Sequence, residues 1–216
     1  LKHPHVYTLR GPRRVGKTCG LKLLVKKIIE EGFLDPRQVI WTNADTIRRI
    51  DLLESHLEEI VKAHRTLTAP IRKARPPLLI IDEVTSVTGW QKVIKKMRDA
   101  DLLAPYCLII TGSSSHDLRK GAERMAGRRG VAERLDRVLF PMSFLAFASQ
   151  ARFSGSEAVE AYLQVGGFPF RVSEYVRCRA DGVPFDGAYG MNVVDEIFHY
   201  EIQRRKLDRN IALEVL

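Results

Sequence analysis

"GPRRVGKT", residues 11–18, stands between the apolar run "VYTL" (6–9) and the stretch "CGLKLLVKKIIEE" (19–31), whose apolar residues recur at helical spacing. The pattern G-x-x-x-x-G-K-[ST] between a strand and a helix is that of a phosphate-binding loop. Glycine allows torsions and close approach that a side chain blocks, so successive N–H groups turn inward around a polyphosphate at the positive end of the helix. Gly11, Pro12, Arg13, Arg14, Val15, Gly16, Lys17 and Thr18 then form the cradle. Lys17 brings an ammonium to the β and γ phosphates, and the Thr18 hydroxyl is a ligand for Mg²⁺. A chance glycine-rich turn with a lysine is the competing reading, and the strand before and helix after argue against it.

Outward from this loop the chain alternates short apolar runs with longer amphipathic stretches, the pattern of an α/β fold with a mostly parallel sheet covered by helices. Strands are expected at 5–9, 38–43, 78–82 and 106–113, with "RVLF" (137–140) as a candidate fifth. The first helix runs from Lys17 to Glu31, with Leu21, Leu24, Val25, Ile28 and Ile29 on its buried side. A second follows in "TIRRIDLLESHLEEIVKAH", where Ile47, Ile50, Leu53, Leu57, Ile60 and Val61 share a face, and "WQKVIKKMRDADLL" is a third. After Pro141 the pattern turns helical: "SFLAFASQ", "SEAVEAYLQV", a turn at "GGFPF", and a long final segment from about Val193. Residues 1–145 are thus the expected core domain, and 146–216 a small helical lid with the start of a further helical region.

"LLIIDEV" (78–84) ends an apolar strand in two acids, which would be costly to bury without a cation. This points to Asp82 as a holder of Mg²⁺ and to Glu83 as the group that polarises the water attacking a γ phosphate. A solvated strand end is the plainer explanation, but it loses ground once the phosphate loop is counted. The next strand closes in "IITGSSS", and polar side chains at the carboxyl edge of a central strand lie where open α/β sheets bind ligands. Thr111 and Ser113 are therefore candidates to bond the attacking water or the γ phosphate, and ordinary turn chemistry explains the same residues equally well.

Length and composition set the bounds. With 216 residues, 45% hydrophobic and 28% charged, the chain suits one globular domain and a small appendage. No apolar stretch approaches the ~20 residues needed to span a bilayer, and "LKHPHVYTLRG" has no secretory apolar segment, so a cytoplasmic protein without membrane contact is expected. Cys19, Cys107 and Cys178 are far apart and suggest neither a disulfide framework nor a zinc site. From the opening Leu1 and the mid-helix ending "ALEVL", a trimmed piece of something longer is expected. The net charge of +9 would draw polyanions such as nucleic acid, nucleotides or anionic lipid; basic residues spread over a solvated surface are the plainer reading, and the clusters "RKARPP", "KVIKKMR" and "QRRKLDR" are what favours nucleic acid.

The chain resembles the prokaryotic, especially archaeal, AAA-related P-loop ATPases near the STAND class, which often carry a nuclease-like C-terminal domain. The resemblance runs through "LRGPRRVGKT", "LLIIDEVTSVTGWQKVIKKMRD", "LIITGSSSHDLRKGAERMAGRRG", "LFPMSFLAF" and "YLQVGGFP" in the same order. It implies a P-loop NTPase fold with a five-stranded parallel core between helices, a helical lid, and binding and hydrolysis of ATP with Mg²⁺. It further implies that Arg128, or its neighbour Arg129, acts as an arginine finger, towards the nucleotide of a neighbouring subunit in a homo-oligomer. Gly167 and Pro169 look like a lid motif that touches the nucleotide. Cys19 stands where the family commonly has a second threonine beside the phosphates, and Thr85 replaces a usual glutamine. The resemblance is expected to stop before any nuclease-like domain, so no cutting activity is inferred from it.

Three functions compete on these residues. The first is an ATPase that works as a nucleotide-dependent switch or motor, with ATP and ADP as ligands. The second is a DNA-binding module whose ATP site is structural or regulatory. A small-molecule kinase is disfavoured by the acidic pair suited to water activation and by the lack of an acceptor-site lid. Preference for adenine follows from the resemblance, since no guanine-reading element is present.

Overall fold

The computed structural model describes residues 3–69, 75–125, 127–130, 134–151, 155–187 and 192; the final segment expected from about Val193 lies outside them. Two compact units emerge, Leu1–Gly11 with Lys17–Leu139, and Pro12–Gly16 with Phe140–Leu216.

The first unit is built on five parallel strands, β1 (Val6–Arg10), β2 (Val39–Asn43), β3 (Leu78–Asp82), β4 (Cys107–Gly112) and β5 (Asp136–Val138), in the order β2-β3-β4-β1-β5. Strands β3 and β4 are apolar on both faces because helices cover both. Leu79, Ile81, Leu108 and Ile110 pack with α2 (Ile50–Thr68), through Leu53, Leu57 and Val61, and with α3 (Trp90–Asp99), through Trp90, Val93, Ile94 and Met97. Leu78, Ile80, Cys107 and Ile109 face the other way, against Leu21 and Ile28 of α1 (Lys17–Glu30). Because the strands are parallel, all their carboxyl ends lie along one edge, and β1, β3 and β4 deliver the loop at Gly11, the acids Asp82 and Glu83, and Thr111 to that edge.

Two findings differ from the sequence reading of this unit. Leu24, expected on the buried side of α1, is 40% exposed, since the narrow contact of α1 with the sheet is met by Leu21 and Ile28. A helix not expected from the sequence, α4 (Ser115–Glu123), also follows β4, capped where the Ser114 hydroxyl accepts from the Asp117 N–H. Its Gly121 is a packing requirement: a β-carbon there would lie 2.3 Å from the Trp90 ring.

The second unit contains α5 (Phe144–Ala151), α6 (Gly155–Val165) and α7 (Pro169–Asp181). Phe147, Ala158, Ala161, Val165 and Val172 form its core, with the Tyr162 ring 5.3 Å from that of Phe147. Helix α7 begins inside the expected turn "GGFPF", with Pro169 in its first turn, where a missing N–H is harmless. Among the described residues no helix is long and apolar enough to cross a membrane.

Candidate nucleotide site

At the carboxyl edge of the sheet, a connected set of polar groups joins three strand ends. Lys17, the first residue of α1, is 5% exposed; its Nζ donates to the Gly11 carbonyl at 2.9 Å and lies 3.6 Å from Oε1 of Glu83. Asp82, 2% exposed, accepts from the Thr18 hydroxyl at 2.8 Å on one oxygen and from the Thr111 hydroxyl on the other. The Thr111 oxygen in turn accepts the Glu83 N–H at 3.0 Å, so one hydroxyl fixes both acids. Glu83 Oε2 accepts the Ser113 N–H at 2.8 Å. Buried charges persist only when bonded in this way.

Glu83 has φ 56 and ψ 39, left-handed torsions that cost a non-glycine residue roughly 1–3 kcal/mol and that gather at functional sites. Arg14, in the phosphate loop, is another non-glycine residue of this kind, at φ 61, and Gly16 follows at φ 99. Within the loop Val15 is buried, Pro12 half-buried, and Arg13 and Arg14 exposed. A β-carbon on Gly16 would lie 3.8 Å from Cγ of Pro169, and the Arg14 guanidinium lies 5.8 Å from the centre of the Phe170 ring, so the second unit brings the start of α7 to its own loop residues. Gly167 is needed for packing: a β-carbon there would meet the Met142 carbonyl at 2.3 Å, and its own carbonyl accepts the Met142 N–H at 2.6 Å. Cys19 is exposed beside Thr18, whereas burial pushes the thiol of Cys107 up to about 11.

The residue types fit Mg²⁺. A threonine hydroxyl and an aspartate carboxylate, 2.8 Å apart, are hard oxygen donors, and Mg²⁺ commonly takes one or two protein oxygens and completes its shell with phosphates and water. No group of three or more His, Cys, Asp or Glu that could cage a metal occurs among the described residues.

The two arginines of "AGRR" are not brought to this edge. Arg129 is 12% exposed in its side chain and serves the sheet. It holds Asp136 of β5 with two bonds of 2.9 Å and donates to the Val6 carbonyl at 3.3 Å, while the Thr8 hydroxyl also donates to Asp136. Arg128 donates from Nε to Asp99 at 2.7 Å, and this bond holds the Asp99 carboxyl below the ordinary carboxylate range. It lies with His3 and His5, which precede β1, at the amino edge of the sheet.

Comparison with known proteins fits this geometry. A family model described as an AAA domain matches residues 3–148. The chain belongs to the AAA domain family. This AAA domain is 26% identical over 226 residues to an uncharacterized protein of Methanocaldococcus jannaschii, an alignment covering 97% of the chain and 46% of the relative, so it spans about half of that protein's length. Among solved structures, the Orc1 protein of Aeropyrum pernix in complex with DNA superposes with a TM-score of 0.57 at 14% identity, over 96% of this chain and 64% of that one. The Walker-type ATPase of Pyrococcus abyssi does so with 0.51 at 14% identity, over 94% and 70%. At such identities the likeness speaks for the fold, a five-stranded parallel P-loop sheet with flanking helices followed by a helical region.

Proposed function

We propose that this AAA domain binds ATP with Mg²⁺ and hydrolyses it to ADP and phosphate, working as a nucleotide-dependent switch or motor. The observation that carries the reading is the bonded chain Lys17, Glu83, Thr111, Asp82 and Thr18, in which Lys17 and Thr18 are the last two residues of the phosphate-loop motif. In this reading Gly11 to Thr18 receive the phosphates on backbone N–H groups, with Cys19 and Pro169 beside them. Thr18 and Asp82 would hold Mg²⁺, which when bound neutralises charge on the phosphates.

Lys17 is the residue that changes partner. Phosphate oxygens entering the loop compete with Glu83 for its ammonium and leave that carboxylate held by the Ser113 N–H. Glu83 then accepts a proton from water as the water oxygen bonds to the γ phosphorus, and the bond from phosphorus to the β,γ-bridging oxygen breaks, leaving that electron pair on ADP. The proton passes from Glu83 to the released phosphate. Thr111, fully buried between the two acids, is a positioning residue. Residues 1–145 carry this chemistry, and the part that follows, through α5, α6 and α7, reports the nucleotide state to whatever the whole protein moves.

The test is phosphate release measured beside nucleotide titration. Glu83→Gln should keep ATP binding and lose hydrolysis by about 10²–10⁴-fold. Equal release from wild type and variant at every protein concentration would overturn the reading.

A further inference from the structure

At the amino edge of the sheet, on the first unit, lies a cavity of about 700 Å³ lined by His3, Pro4, His5, Arg98, Asp99, Ala104, Gly127, Arg128 and Gly130. The proposed hydrolysis step uses none of these residues. Two guanidinium groups stand in its wall in different states. Arg98 donates to the carbonyls of Pro4 at 3.0 Å and Leu103 at 3.4 Å and meets no carboxylate among the described residues. Burial pushes its pKa below the ordinary arginine value, the mark of a cation held out of water without a counter-charge. Arg128 bonds Asp99 through Nε alone, so its two terminal nitrogens carry no hydrogen bond among the described residues. They form a fork of the shape that takes phosphate oxygens.

Flat rings complete the wall. The rings of His3 and His5 lie 5.6 Å apart, His3 exposed and His5 half-buried. Gly130, at φ 95, lets His5 lie there, since a β-carbon would fall 1.9 Å from its Nδ1. One more cation acts on the site, Lys95, one turn before Asp99 on α3.

We propose that this cavity binds single-stranded nucleic acid, with phosphodiester groups on Arg98 and Arg128 and a base stacked on the exposed ring of His3. Imidazole faces and guanidinium planes are the surfaces on which unpaired bases stack. Asp99 helps to choose the ligand. Beside its carboxylate a singly charged phosphodiester is tolerated, whereas the concentrated charge of a triphosphate from a second copy of the chain is repelled. The site acts independently of ATP hydrolysis and joins the basic charge of the chain to one place on its surface.

The experiment uses the full chain and a fluorescein-labelled oligothymidylate of about 16 nucleotides, followed by anisotropy across a salt series. Arg98→Ala and His3→Ala should each weaken binding by about tenfold, and Arg128→Ala should reduce the slope of log affinity against log salt by about 1. Lys22→Ala, on α1 across the sheet, should leave both unchanged. The exposed His3 keeps the test decisive should Arg98→Ala fail to fold. Unchanged affinity in His3→Ala, or an equal loss in Lys22→Ala, overturns the proposal. So does a duplex bound as tightly as the single strand. Recovery of phosphate release on mixing Lys17→Ala with Arg128→Ala would assign the cavity to the nucleotide of a second copy and overturn it as well.

Discussion

The two ends of the one parallel sheet are built on opposite principles. At the carboxyl edge Lys17, Thr18, Asp82, Glu83 and Thr111 are buried or half-buried and bonded to one another. At the amino edge, among the described residues, Arg98 meets only carbonyls and the fork of Arg128 stays open beside two imidazole rings. A closed circuit of this kind stores ionic groups in a fixed geometry, ready to exchange one partner for a phosphate. An open one displays charge to whatever reaches the surface. Formal charge alone would not separate the two; hydrogen-bond connectivity does.

The comparison is broken most directly at its central hydroxyl. Thr111→Val removes a donor to a buried carboxylate and an acceptor of the Glu83 N–H, and should lower unfolding free energy by about 1.5–3 kcal/mol in urea titrations. Phosphate release should fall while ATP affinity holds; full activity at reduced stability would show that the circuit is scaffolding only.

Next comes the arginine pair. Arg129→Ala removes two bonds to Asp136 and one to Val6 and should destabilise the fold by about 2 kcal/mol, whereas Arg128→Ala, losing one exposed pair, should leave stability nearly unchanged. Thermal unfolding of the two variants side by side would reveal whether that ranking holds.

The smallest effect is an acid dependence at β5. Burial raises the pKa of Asp136, but hydrogen bonds from Arg129 and Thr8 outweigh it and leave the carboxyl below its ordinary 3.8. A depressed acid contributes stability that is fully present above the unfolded value and is lost as pH falls through the folded one. Asp136→Asn should therefore be less stable than wild type at neutral pH, with the gap narrowing as pH drops below about 3.8. A gap that stayed constant into strong acid would count against an ionic role for Asp136.

Much of the carboxyl edge was legible in the chain, because its residues sit at motif spacings next to apolar runs. "LLIID" matched β3 residue for residue, and the helix after the loop began at Lys17. Helix α4 escaped notice because Gly121 and a charged sequence hide it; the glycine is set by the Trp90 ring, a tertiary contact that local propensity does not contain. Helix α7 was masked by Pro169, which breaks a helix interior but suits a first turn. The amino-edge cavity left only fragments, "KVIKKMR" ending at Arg98 and "AGRR" holding Arg128, with nothing to join them. His3, Arg98 and Arg128 are scattered along the chain and meet only through the strand order. The same holds for the two adjacent arginines, identical as letters and separated only by which carboxylate each reaches.

Strand β1 is the first strand of the chain, yet both its neighbours come late: β4 at Cys107–Gly112 and β5 at Asp136–Val138. During synthesis on a ribosome, "VYTLR" must wait for about 100 residues to be added before either side can be matched. Until then an apolar ribbon next to the phosphate loop stays open to wrong partners, so translation speed between β1 and β4 becomes a determinant of the yield of native protein.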